Sequence, residues 1–124
     1  TPLRADPIVQ LNLQDDPQSA ALADKLIEIF IQTSPADLQA VVTGLERSDA
    51  RQVFLYAHKL KGSASVFHAG PLEQLCKDIE ILGRSEALDQ ARLRLPALEQ
   101  ELSRVLQALE ALRAARNAPP PAKG

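Results

Sequence analysis

Apolar residues recur every three or four positions along most of this chain, and they almost never alternate with polar ones. That spacing belongs to helices with one buried face, and strand signals are nearly absent. Pro7 to Leu13 has some helical character, and Asp15-Asp16-Pro17 then supplies a cap and a proline for a first helical turn. A long helix is predicted next, carrying Leu22, Leu26, Ile27, Ile29 and Phe30. Ser34-Pro35 either kinks it or restarts it, and Leu38, Val41, Val42 and Leu45 continue the stripe towards a stop near Gly44. Ser48-Asp49 caps a second helix, from about Ala50 to Phe67. The tight turn His68-Ala69-Gly70-Pro71 leads into a third, whose face is Leu72, Leu75, Cys76, Ile79 and Leu82 and which Gly83 ends. Ser85 caps a last helix that runs to about Asn117, bent or interrupted at Pro96, with a seam of Leu98, Leu102, Val105, Leu109 and Leu112.

Four substantial helices with short connections favour antiparallel neighbours. The expected fold is all-α: an up-down-up-down four-helix bundle with a short N-terminal helical segment. Residues 1–117 form that one domain, and 118–124 form a Pro/Ala-rich disordered tail.

Composition supports a single domain with an aliphatic core. The chain has 124 residues with 20 leucines and 19 alanines, but only three phenylalanines, one tyrosine and no tryptophan. One cysteine, Cys76, cannot make an internal disulfide. Fourteen basic and sixteen acidic residues are interspersed, so the basic stripe of a nucleic-acid binder is missing. No apolar run approaches the ~20 residues that span a bilayer, and a cytoplasmic protein without membrane contact is expected. A start without methionine and a proline-rich end suggest a segment of a longer protein.

The second predicted helix carries the candidate chemistry. At about 100° per residue, Val53, Ala57, Leu60, Ala64 and Phe67 share one narrow sector, the bundle core. A second sector, about 120° away, holds Phe54, His58, Lys61, Gly62 and Ser65. An ordinary solvated face would be rich in Glu, Lys, Gln and Arg. Glycine inside a helix costs roughly 0.8–1 kcal/mol against alanine, so Gly62 either lets a neighbouring helix pack tightly or clears room beside His58 for another protein. On the third helix a polar stripe of Glu73, Lys77, Glu80 and Arg84 lies one step round from the core face. With Ala69 as pivot, His58 lies eleven residues before it and Glu80 eleven after, so the two should stand level. Glu80 can then accept from Nδ1 of His58, fix its tautomer and leave Nε2 as a nucleophile, with Arg84 one turn beyond near Phe54. The alternative for Glu80 is a solvated residue paired with Lys77 or Arg84.

Several chemistries lack their parts. There is no glycine-rich phosphate loop, Cys76 falls on the apolar face, and His58 and His68 have no Cys/His/Asp cluster to form a metal site. A phosphoryl group suits the site better: imidazole nitrogen accepts it, Lys61 supplies a point charge and Ser65 a hydrogen bond.

The run His58-Lys59-Leu60-Lys61-Gly62-Ser63-Ala64, followed by Ala69, Leu72, Cys76 and Glu80-Ile81-Leu82-Gly83-Arg84, resembles the histidine-containing phosphotransfer domain of bacterial two-component phosphorelays. Ile27, Phe30, Pro35, Leu38, Leu45, Asp49 and Ala57 extend the likeness to residues 18–112. The resemblance implies a phosphocarrier without catalytic activity of its own, as a module of a hybrid sensor kinase or free-standing. His58 would take the phosphoryl group at Nε2 from a receiver-domain phospho-aspartate and hand it to another receiver, with a sensor histidine kinase upstream. Lys61 would balance phosphate charge, Gly62 clear the docking face, Glu80 orient the imidazole and Arg84 sit at the rim. Phe54, Leu55 and Lys59 would belong to the docking patch. No cofactor is implied, magnesium being expected in the receiver. Where the family often has glycine before the residue matching Ala69, this chain has His68, so Gly70 is expected to take the special backbone conformation. The competing class is a scaffolding bundle that oligomerises through its last helix.

Overall fold

The computed structural model describes Val9 and residues 17–117, which fold into four helices: α1 (Pro17–Glu46), α2 (Ala50–Val66), α3 (Gly70–Arg84) and α4 (Leu88–Asn117). Each packs against its neighbours in chain order and α4 closes against α1, an antiparallel four-helix bundle as the periodicity predicts. Apart from Val9, the predicted N-terminal segment lies outside the described residues, as does the tail at 118–124.

The core is the apolar stripe of each helix. Ile27, Phe30, Val41 and Leu45 of α1 meet Val53, Ala57, Leu60 and Ala64 of α2, Leu72, Cys76 and Ile79 of α3, and Leu98, Leu102, Val105 and Leu109 of α4. Phe30 and Phe67 pack edge to face at 5.4 Å. Two arginines tie α4 to α1 at opposite ends: Arg92 donates to the Leu45 carbonyl, and Arg116 to the Ala20 carbonyl and the Asp24 carboxylate. Both prolines sit inside continuous helices, so Pro35 does not restart α1 and Pro96 does not interrupt α4. Leu22 and Ile29, expected on the buried stripe of α1, point outwards; the buried positions include Ala23, Ser34 and Asp37 instead.

The connections depart from the sequence-based picture. Among the described residues no glycine has a positive φ; the left-handed positions there belong to Ser48, His68 and Glu86. Each follows a helix in the same way. After α2, Ala69 N–H donates to the Ala64 carbonyl and His68 N–H to the Ser65 carbonyl. Asp49 and Ser48 repeat the pair after α1, and Ala87 and Glu86 after α3. These are Schellman closures built on non-glycine residues. His68 itself therefore adopts the conformation expected of Gly70. Ser85 is not the cap of α4: it ends α3, its hydroxyl donating to the Ile81 carbonyl at 3.0 Å.

Gly44 and Gly83 lie in the last turns of α1 and α3, as expected, and are also helix-crossing residues. A Cβ on Gly44 would lie 2.9 Å from Val53 Cγ2, and one on Gly83 would lie 3.1 Å from both Cβ and N of Phe54. Each lets its helix approach the start of α2. Gly62 has nothing within 4 Å of where its Cβ would be, so tight packing of a neighbouring helix is not its role.

Candidate functional site

Asp49 starts α2, accepting from Gln52 N–H, and thereby sets the helix's rotation. Val53, Ala57, Leu60 and Ala64 turn into the core, which sends His58 outwards with its side chain 59% exposed. Pro71 in the first turn starts α3, and the stripe Leu72, Cys76, Ile79 buries its core face. One step round from that face, Glu80 stands level with His58, as counting outwards from the turn predicts.

The imidazole Nδ1 lies 3.0 Å from Glu80 Oε2. The glutamate side chain is only 8% exposed, and two cations also reach it: Lys61 Nζ at 2.8 Å from Oε1, and Arg84 Nη2 at 3.2 Å from Oε2. Burial alone would raise the carboxyl's proton affinity, but the ion pair with Lys61 and the hydrogen bonds with His58 and Arg84 outweigh it and hold Glu80 below the usual carboxylate range. An ionised carboxylate only accepts, so the Nδ1 that faces it carries a hydrogen. Glu80 is thus buried rather than solvated, while the pairing with Arg84 in the alternative view does hold.

Arg84 bridges two parts of the site. Its guanidinium sits 4.6 Å from the centre of the Phe54 ring while bonding Glu80, so the predicted proximity of Arg84 and Phe54 holds. Lys61 spends its charge on Glu80, where the sequence suggested a free point charge for phosphate. Ser65 is exposed on the same side of α2, seven residues from His58. That is about 10 Å along a helix, too far for its hydroxyl to bond a group on Nε2.

The outer face of α2 presents Leu55, Lys59 and Gly62 around His58, with Val66 two turns further along, all exposed. Lys59 reaches towards α1, 3.8 Å from the Asp37 carboxylate and 5.1 Å from the centre of the Tyr56 ring. Burial pushes the Asp37 carboxyl up, and Lys59 only partly counters it. Asp37 was not singled out from the sequence, although it falls in register with Phe30 and Val41 on the buried seam. Cys76 is fully buried and pushed up to about 12, chiefly by burial and then by Glu73, which removes it as a nucleophile. Among the described residues no three His, Cys, Asp or Glu side chains cluster as metal ligands, and no helix is long and apolar enough to cross a membrane.

No curated protein gives a significant sequence match. The bundle resembles the crystal structure of histidine-containing phosphotransfer protein B from Pseudomonas aeruginosa PAO1, with a TM-score of 0.74 and 23% identity over 90% of this chain and 98% of that one. It also resembles the HPT domain of a sensor hybrid histidine kinase from Shewanella, with a TM-score of 0.70 and 18% identity over 82% of this chain and 87% of that one. At such identities the likeness speaks for the fold. The sequence profile of the Hpt domain matches residues 25–115, a span that holds the exposed histidine, the buried glutamate and both cations that grip it. With that match over most of its length, the chain belongs to the Hpt domain family, the phosphotransfer domains of two-component phosphorelays.

Proposed function

We propose that His58 accepts a phosphoryl group from a receiver-domain phospho-aspartate and passes it to the aspartate of another receiver. The observation that carries this is the pairing of an exposed imidazole with a buried carboxylate at 3.0 Å. It leaves one ring nitrogen tethered and the other free as a nucleophile. In the transfer the Nε2 lone pair forms the N–P bond as the bond from phosphorus to the aspartyl oxygen breaks, and the electron pair leaves with the carboxylate. Both bonds are high in transfer potential, so the step needs chiefly alignment and charge compensation.

Leu55, Gly62 and Val66 offer the receiver an apolar, uncrowded surface around the ring, with Phe54 and Lys59 at its margins. Lys61 and Arg84, both paired with the carboxylate that holds Nδ1, keep positive charge beside the imidazole. Magnesium belongs to the receiver's aspartate pocket. A sensor kinase upstream and receivers as partners follow from the same role.

The test is incubation with a phosphorylated receiver. Acid-labile, base-stable label is expected on the wild-type domain and none on His58→Gln. Label that survives this substitution refutes the assignment, and no label from any of several receivers favours the scaffolding bundle.

A further inference from the structure

We propose that Glu80 shortens the lifetime of the phosphohistidine by holding a proton on Nδ1 after Nε2 has taken the phosphoryl group. The inference rests on His58 being the phosphoacceptor. When Nε2 attacks, no proton needs to move: the product is an imidazolium ring with hydrogen on Nδ1 and the phosphoryl group on Nε2. If the P–N bond later breaks with that proton in place, the electron pair returns to nitrogen and the ring departs as neutral imidazole. If the proton has gone, the ring must depart as imidazolate, a far poorer leaving group. The Nδ1 proton therefore decides how readily the group moves on, whether to a receiver aspartate or to water.

The site is built to keep that proton. Glu80 Oε2 faces Nδ1 at 3.0 Å and is held there by Arg84 Nε at 3.3 Å and Nη2 at 3.2 Å, while Lys61 holds Oε1 at 2.8 Å. Pinned at both oxygens and largely shielded from water, the carboxylate cannot turn away. A ring that lost its Nδ1 hydrogen would set a bare lone pair against an acceptor-only oxygen, with nothing to donate between them. An amide in the same place could rotate its NH₂ towards the bare nitrogen and accommodate the deprotonated ring. The ionisable groups around the carboxylate are His58 and Lys61 from α2 and Arg84 from α3, with the protonated thiol of Cys76 one turn back; among the described residues α1 and α4 place none in hydrogen-bond or ion-pair contact with it. The conserved-volume exchange of Glu for Gln therefore isolates acceptor-only chemistry from shape.

The experiment loads wild type and Glu80→Gln with potassium phosphoramidate, which phosphorylates histidine without a protein partner. Loss of the group at pH 8 is followed by phosphorus NMR, and Nδ1 by nitrogen NMR. Glu80→Gln should hold its phosphoryl group roughly 3–10 times longer, the range set by one opposite charge beside a half-exposed ring. Nδ1 should be protonated in the wild type and not in the variant. Equal lifetimes, or a longer lifetime with Nδ1 protonation unchanged, overturn the proposal. Should the variant fail to fold, the loaded wild type in buffer is compared with the same protein in concentrated urea; a folded form that does not lose the group faster is equally fatal. Failure to load His58 at all removes the phosphoacceptor assignment and this inference with it. A loaded wild type that passes nothing to any receiver, yet shows the lifetime difference, counts against the relay role alone.

Discussion

Replacing Gly62 should strengthen the fold and weaken the function. Gly62 lies inside α2, where glycine is about 0.8–1 kcal/mol less favourable than alanine. A methyl group there meets nothing within 4 Å, so no overpacking opposes the gain in helix propensity. Gly62→Ala should therefore add about 1 kcal/mol, which for a bundle of roughly 100 residues raises Tm by about 4–8 °C. Gly62→Gln should still stabilise, by several tenths of a kcal/mol, since glutamine also exceeds glycine as a helix former. Its longer side chain would stand one turn from His58, on the face proposed for receiver docking, so phosphotransfer should fall about tenfold or more, equivalent to about 1.4 kcal/mol of lost complementarity. Thermal unfolding by circular dichroism and label transfer from a phosphorylated receiver measure the two effects separately. A lower Tm for Gly62→Ala would show that the position is crowded after all. Wild-type transfer by Gly62→Gln would remove the docking role.

Three other perturbations test different parts of the structure. Gly83→Ala brings a methyl to 3.1 Å from Phe54 Cβ and N; an overpacking cost of about 1–3 kcal/mol should outweigh the roughly 1 kcal/mol of helix propensity, and a Tm equal to or above wild type would contradict the close approach. His68→Gly relieves a left-handed residue at φ 53° and should stabilise by up to about 1 kcal/mol with His58 labelling unchanged, a denaturant midpoint at or below wild type being the adverse result. The two buried carboxyls should act oppositely on acid unfolding. Glu80 is depressed, so its contribution is present above the unfolded carboxyl range and lost as pH falls through its folded value; Asp37 is raised, so its ionisation burdens the fold at neutral pH and the burden lifts on acidification. Unfolding curves from pH 7 to pH 3 should show Asp37→Asn gaining over wild type most at neutral pH, and a gain that grows on acidification would reverse that sign.

Periodicity exposed the core, since each buried residue of α2 from Val53 to Ala64 repeats at threes and fours. Counting outwards from a short turn was enough to set His58 against Glu80, because an antiparallel hairpin keeps its register. What the pattern could not resolve was the purpose of each glycine. A glycine at a helix end and one at a helix crossing look alike in a single sequence, and here the left-handed positions went to Ser48, His68 and Glu86 because the Schellman hydrogen bonds and the buried Ala69 hold them in place. Asp37 escaped notice for a related reason: a search for apolar repeats passes over a carboxyl on the buried seam. The destination of Lys61 depended on ångström-scale competition between a buried carboxylate and open solvent, which no spacing rule encodes.

Gly83, at the end of α3, also belongs to the site's construction. Helix pairs separate by 8–10 Å according to the side chains at their contact, and at this crossing Gly83 places no side chain against Phe54 Cβ and N. Three residues earlier on α3, Glu80 reaches Nδ1 at 3.0 Å. One residue after Gly83, Arg84 closes over the Phe54 ring. A methyl at Gly83 that drives the helices apart by even a few tenths of an ångström would stretch the bond that orients the imidazole, so Gly83→Ala should slow phosphotransfer as well as destabilise the fold. A residue that touches neither the histidine nor the phosphoryl group thereby sets the distance on which the nucleophile depends.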